Sequence, residues 1–224
     1  MKQAKKALIG NAVIFFFTAM AVAWIISGIS YRHGPLDGPN LASLKYYTVD
    51  SNILMGLAAL AAAVQEGRIL KGKQQELSLP VRLLKLSGTV CVTLTMMITV
   101  FFQTPTLGRA YGYSSLYANS AFFMHVFNPI CSILVWALLE RSDRISLRQT
   151  PLALIPTVLY AVYYLTNCLT HVENGSILPG YDWYGFFFLG LNSWIYVYPV
   201  ILLITYSFVL ILWKWNRKKP HSGL

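Results

Sequence analysis

Six apolar runs, separated by short polar segments, organise the 224-residue chain. A hydrocarbon core of about 30 Å takes roughly 20 mostly apolar residues in helical form. Runs of that length occupy Ala7–Ile29, Leu44–Val64, Leu83–Phe102, Tyr117–Leu139, Pro151–Thr170 and Gly185–Trp213. None alternates with period two, as the strands of a membrane barrel would. The pattern predicts an all-α integral membrane protein, a single bundle of six transmembrane helices. The last run is the longest and contains Pro199, so it is expected to tilt, kink or protrude.

Composition narrows the class. Residues of the hydrophobic set make up 56% of the chain and charged residues only 12%, where a soluble domain carries about 25% charge. That excludes a soluble enzyme and a disordered chain. The net charge is +10, but the basic residues lie in clusters between apolar runs, not along one polar face, so no nucleic-acid partner is expected. Lys2, Lys5 and Lys6 precede the first run. Arg68, Lys71, Lys73, Arg82 and Lys85 lie in the second connection and its flank, and Arg141, Arg144 and Arg148 in the fourth. Lys214, Arg217, Lys218 and Lys219 follow the last run, which places 15 of the 18 basic residues on one side. Only Arg32, Lys45 and Arg109 fall on the other. The positive-inside rule then puts both termini in the cytoplasm, in a style that suits a bacterial plasma membrane. Met1–Lys6 followed by Ala21-Val22-Ala23 resembles a signal peptide, yet the apolar run continues through Trp24-Ile25-Ile26, so an uncleaved first span is expected. Cys91, Cys131 and Cys168 fall inside spans and read as buried free thiols. Neither a metal-ligand spacing nor a phosphate loop is present, and no cofactor is expected. The aromatic groups Tyr111-Tyr113-Tyr117, Tyr181-Trp183-Tyr184 and Trp213-Trp215 read as interfacial belts.

Polar residues inside a bilayer are expensive, so their positions carry information. At 100° per residue, Thr48, Ser51 and Asn52 share one face of the second helix, and Asp50 lies on another. His125, Asn128 and Ser132 share a face of the fourth, beside Pro129. Thr95, Thr99 and Gln103 end the third. Asn167 and His171 end the fifth, above Tyr160 and Tyr164, and Asn192 lies early in the sixth run. With the orientation above, these groups gather in the outer half of the membrane, and the inner halves read as nearly pure Ala, Val, Leu and Ile. The expectation is a polar pocket lined by Asp50, Ser51, Asn52, Asn128, Asn167, His171 and Asn192 around Thr48 and His125. Each residue also has a plainer reading: Thr93 and Thr95 bonding the carbonyl four residues back, Asn167 and Asn192 joining helices, Asp50 pairing with Lys45 or facing water.

A hydroxyl and an imidazole suffice for nucleophilic acyl transfer, the imidazole taking the hydroxyl proton as the oxygen attacks a carbonyl. Thr48 and His125 are the candidates, with the amides of Asn52, Asn128 or Asn192 as oxyanion donors. The segment Lys45-Tyr46-Tyr47-Thr48-Val49-Asp50-Ser51-Asn52, together with His125-Val126-Phe127-Asn128-Pro129, resembles the androgen-induced protein family, which includes the androgen-dependent regulator of tissue factor pathway inhibitor and small bacterial relatives. The stretch from Asn167 to His171 and on to Trp183-Tyr184 is similar too, as is the six-span plan. The resemblance implies an intramembrane threonine hydrolase of fatty acid esters, with Thr48 as nucleophile, His125 as base and a membrane lipid or amphiphilic ester as substrate. This chain departs from the family pattern in the residues that follow the threonine and in its His-to-Pro spacing. The competing reading is a membrane transporter or small-molecule-binding protein in which His125 and Asp50 bind or relay protons.

Overall fold

The computed structural model describes residues 1–30, 34–35, 40–105 and 116–217. Arg32, Arg109, Tyr111, Tyr113, Lys218 and Lys219 lie outside the described residues. Six helices are long and apolar enough to cross a membrane: α1 (Lys2–Ile26), α2 (Tyr47–Leu70), α3 (Leu79–Gln103), α4 (Ser120–Leu139), α5 (Leu147–Thr170) and α6 (Trp194–Asn216). The protein is an integral multi-pass membrane protein. Two short antiparallel hairpins join helices, Ile29–Ser30 with Gly34–Pro35 after α1 and Val172–Glu173 with Ser176–Ile177 after α5. The second turns through Asn174 and Gly175, both at positive φ, the backbone that an Asn-Gly pair adopts at least cost.

Two spans differ from expectation at their edges. The sixth helix starts at Trp194, not at Gly185. Gly185 and Gly190 both take positive φ, and the Asp182 carboxylate accepts the N–H groups of Phe186 (2.9 Å) and Phe187 (3.0 Å), closing a turn where a helix would otherwise begin. The fifth starts earlier, at Leu147, as a tight 3₁₀ stretch that relaxes to α at Ile155, next to Pro156.

α3 is the central helix. In its apolar window 67% of residues are buried, against 17–39% in the other five. Leu86 and Val90 of α3 pack with Trp136 of α4 and with Val209 and Leu212 of α6. Val92 packs with Ile14 of α1, Met55 and Ala59 of α2, and Val135 of α4. The outward faces are aliphatic: Leu57, Leu60 and Val64 on α2, Leu159 and Val162 on α5, Leu203 and Ile204 on α6 are exposed, as lipid contact requires. Helices approach closely where glycine permits. A Cβ on Gly56 would lie 2.8 Å from Thr18 Cγ2, and one on Gly88 3.0 Å from Met55 Cα. Such small-residue contacts substitute for hydrophobic driving force within lipid.

The start of α1 and the end of α6 lie at one end of the bundle, called proximal below. Gln3 Nε2 donates to the Leu139 carbonyl (3.1 Å) and Asn216 Nδ2 to the Glu140 carbonyl (2.9 Å). This proximal half corrects the expectation of a nearly pure aliphatic composition. Asn11 (0% exposed), Glu66 (2%), Lys85 (0%) and Glu140 (4%) meet there, from α1, α2, α3 and the end of α4. Asn11 Nδ2 donates to Glu66 (3.1 Å) and to Glu140 Oε1 (2.6 Å). Lys85 Nζ donates to Asn11 Oδ1 (2.5 Å) and lies 3.6 Å from Glu140 Oε2. Arg82 bonds the Glu140 carbonyl (2.9 Å) and approaches Glu76, which also pairs with Arg144 at 2.8 Å. Lys85, read from sequence as part of a basic flank, is thus a core residue.

Candidate functional site

The opposite, distal end holds a cavity between α2, α3, α5 and α6, with about 600 Å³ of empty space when its open mouth is included. Its walls are Leu94, Ile98, Ala161, Phe186 and Ile201, set with the hydroxyls of Thr48, Thr95, Thr99, Thr157 and a ring of tyrosines, and with Gln103. Thr48 reaches it from the second residue of α2. The start of that helix leaves N–H groups without helical partners, and the structure fills one of them from a distant loop: Tyr47 N–H donates to the Tyr184 hydroxyl at 2.7 Å. The Tyr47 hydroxyl is 2.8 Å from Thr157 Oγ1, and Tyr160 donates to the Lys45 carbonyl at 2.6 Å. Tyr164 donates to Asp182, and accepts from the Tyr184 N–H at 3.2 Å. Burial, and after it the neighbouring Tyr160, pushes the Tyr184 phenol well above its usual ionisation range, so it stays a neutral acceptor for the α2 start. The Tyr181-Trp183-Tyr184 segment, read from sequence only as an interfacial belt, therefore supplies a cap for α2 and a wall of the cavity.

The Thr48 hydroxyl makes no hydrogen bond to any described residue, and it opens onto the cavity. It differs in this from Thr93 and Thr95, which bond back to the Thr89 (2.7 Å) and Cys91 (3.2 Å) carbonyls. On the cavity wall contributed by α6, the buried Tyr198 hydroxyl has no partner among the described residues. A buried hydroxyl without a partner carries a desolvation penalty, which a polar atom of a bound ligand would relieve.

His125 lies in the widened π turn Phe123–Phe127 of α4. Pro129 follows four residues later, where it has no N–H for the His125 carbonyl and its ring crowds that oxygen; widened turns of this kind are frequent at functional sites, and α3 and α4 carry two more, at Thr99–Gln103 and Val135–Leu139. His125 Nδ1 lies 2.8 Å from the Leu116 carbonyl. A carbonyl only accepts, so Nδ1 carries the proton and Nε2 is left as the basic nitrogen. Asn52 joins the two helices: its Nδ2 donates to the Thr48 (2.8 Å) and Met124 (3.2 Å) carbonyls, and its Oδ1 accepts from Asn128 Nδ2 (3.0 Å). α2 and α4 run in the same direction, so Thr48, four residues before Asn52, and His125, three before Asn128, sit at a similar level, about 4.5–6 Å distal to that bond. His125 is not among the residues lining the Thr48 cavity, and among the described residues no hydrogen bond joins the two side chains.

The remaining candidates divide. Ser51 contacts Thr95 Oγ1 at 3.0 Å, behind the cavity wall. Asp50 faces a separate groove on the other side of Tyr47 and Tyr160. Asn167 donates to the Tyr181 carbonyl (3.2 Å) and His171 stacks on the Tyr181 ring (3.7 Å), so both anchor the loop after α5 and neither lines the cavity. Asn192 is exposed before α6. Among the described residues, no group of three His, Cys, Asp or Glu side chains could hold a metal ion. No protein-family model, no curated protein and no solved structure matches this chain.

Proposed function

We propose that the protein is an intramembrane hydrolase of lipid esters, with Thr48 as nucleophile and His125 as general base. The observation that carries this reading is the unbonded Thr48 hydroxyl opening onto a largely apolar cavity. In the reaction, Thr48 Oγ attacks the ester carbonyl carbon and its proton passes to His125 Nε2, directly or through one water. The leaving alcohol takes that proton, and water then cleaves the acyl-threonine ester. Neutral donors stabilise the oxyanion; the partnerless Tyr198 hydroxyl is the donor that the cavity wall offers, in place of the Asn192 amide. The basic residues at the proximal end orient both termini toward the cytoplasm and the cavity toward the outer leaflet, as in a bacterial plasma membrane.

A second reading is favoured by the absence of His125 from the cavity wall: the cavity binds an amphiphile and performs no chemistry. Purified protein, treated with a fluorophosphonate probe and assayed on a branched fatty acid ester and a para-nitrophenyl ester, separates the two. Hydrolysis predicts labelling and turnover that Thr48→Ala and His125→Ala each abolish. Tyr198→Phe is expected to lower kcat by about 100- to 1000-fold, the range for loss of one oxyanion donor. An unlabelled, inactive wild type leaves the binding reading, and full activity in Thr48→Ala refutes Thr48 as the nucleophile.

A further inference from the structure

The groove beside the cavity holds a carboxylate without a partner. Asp50 lies one turn into α2, half-buried, and its carboxylate makes neither a hydrogen bond nor an ion pair with any described residue. Lys45, the basic residue nearest to it in sequence, has its Nζ over the rings of Tyr46 (5.3 Å) and Trp183 (5.1 Å). The groove offers about 680 Å³ of empty space, its open side included. Tyr47, Tyr160 and Tyr163 provide aromatic walls, and Leu54, Pro156 and Leu159 an aliphatic floor. Leu159 and Tyr163 are exposed on the outward face of α5, so the groove opens toward lipid, not into the bundle. Asp50 is the single charged group among its lining residues.

We propose that this groove binds a membrane lipid carrying a primary ammonium headgroup, of the ethanolamine type. The ammonium supplies up to three N–H donors to an acceptor-only carboxylate that lacks any. Tyrosine faces around a cation add attraction of their own. The aliphatic floor accommodates the first part of an acyl chain, and the exposure of the groove on the lipid side gives a bilayer molecule direct access. A quaternary ammonium lacks the N–H donors, and an anionic headgroup meets Asp50 as a like charge. The site is separate from the Thr48 cavity, so it stands whether or not that cavity hydrolyses esters.

The test uses the full chain in phosphatidylcholine nanodiscs doped with phosphatidylethanolamine, its N-acetyl derivative or phosphatidylglycerol, with bound lipid counted by native mass spectrometry. The wild type is expected to retain phosphatidylethanolamine about tenfold or more over the N-acetyl and glycerol lipids, the scale of one charge-assisted hydrogen bond. Asp50→Asn is expected to remove that preference with the fold retained, since the Asp50 carboxylate has no described protein partner to lose. Equal retention of the amine and N-acetyl lipids by the wild type overturns the proposal without reference to any variant. So does a preference that survives in Asp50→Asn.

Discussion

Lys85→Met tests whether the proximal cluster is a closed ionic unit. The ammonium is fully enclosed, 2.5 Å from Asn11 Oδ1 and 3.6 Å from Glu140 Oε2. Methionine fills much of the same volume without the charge, so packing changes little and the electrostatic loss dominates. At an effective dielectric of about 20, a pair of unit charges 3.6 Å apart attracts by about 5 kcal/mol. Removing one member of a buried pair typically costs about 3–5 kcal/mol, because the other charge is left without compensation. Here the penalty falls on two carboxylates that share the amide of Asn11. The expected loss is therefore about 3–5 kcal/mol, read as the shift in the unfolding midpoint on titration of micelles with sodium dodecyl sulfate. Lys85→Met/Glu140→Gln restores the charge count and keeps a donor near Asn11, so it is expected to recover most of the loss. Destabilisation by the single variant of less than about 1 kcal/mol, the scale of an exposed pair, refutes the reasoning. A double variant no more stable than the single one refutes it equally.

Two further outcomes follow from the geometry. Tyr184→Phe removes the acceptor for the Tyr47 N–H and is expected to cost about 1 kcal/mol; because the folded-state ionisation of this phenol is raised, its stabilising contribution is intact below the unfolded value near 10 and is lost as pH rises through the folded one, so the variant should lose less stability than wild type on going to strongly alkaline pH. For orientation, reporter fusions after residue 224 and in the loop at residues 34–40 should report opposite compartments, the C-terminal one cytoplasmic; the same compartment for both would contradict the six-helix topology.

The spans were legible because lipid imposes one requirement on every turn of an exposed helix face, and length then counts the helices. Their ends were less so, since Gly185 and Gly190 look like small residues within an apolar run until their positive φ is seen. Among site residues, the i, i+4 spacing of Thr48 and Asn52 gave a shared face, and the Asn52–Asn128 bond joins the two helices that had been singled out. Helical periodicity states which residues share a face but not which neighbour that face meets. Asp50, Asn167, His171 and Asn192 were therefore grouped by depth alone, and the structure distributes them to a groove, a loop anchor and the surface. The proximal cluster was missed for a related reason. Lys85 and Glu66 lie near span ends, where charged side chains ordinarily reach water, and the partner that holds each of them comes from another helix.

The two ends of the bundle are held by different means, and this bears on where function lies. At the proximal end, charged groups and the Asn216 amide tie α1, α2, α3, α4 and α6 together through short bonds, including 2.6 Å from Asn216 to the Trp136 carbonyl. At the distal end, the described contacts join uncharged groups for the most part, with tyrosine hydroxyls, ring edges, the Ser51–Thr95 and Asn52–Asn128 bonds and the Asp182 turn among them, and the Thr48 and Tyr198 hydroxyls have no described partner. Elements that open for ligands come from the less stable part of a structure. α2 carries Glu66 in the proximal clamp and Thr48 at the open end, and α4 leads from His125 to Glu140 in the same way. On the proposed function, a ligand entering the distal cavity would part the helix ends while the proximal ends stay registered. Weakening the clamp, as Lys85→Met does, should then change how the cavity holds its ligand even though Lys85 lies at the other end of the bundle.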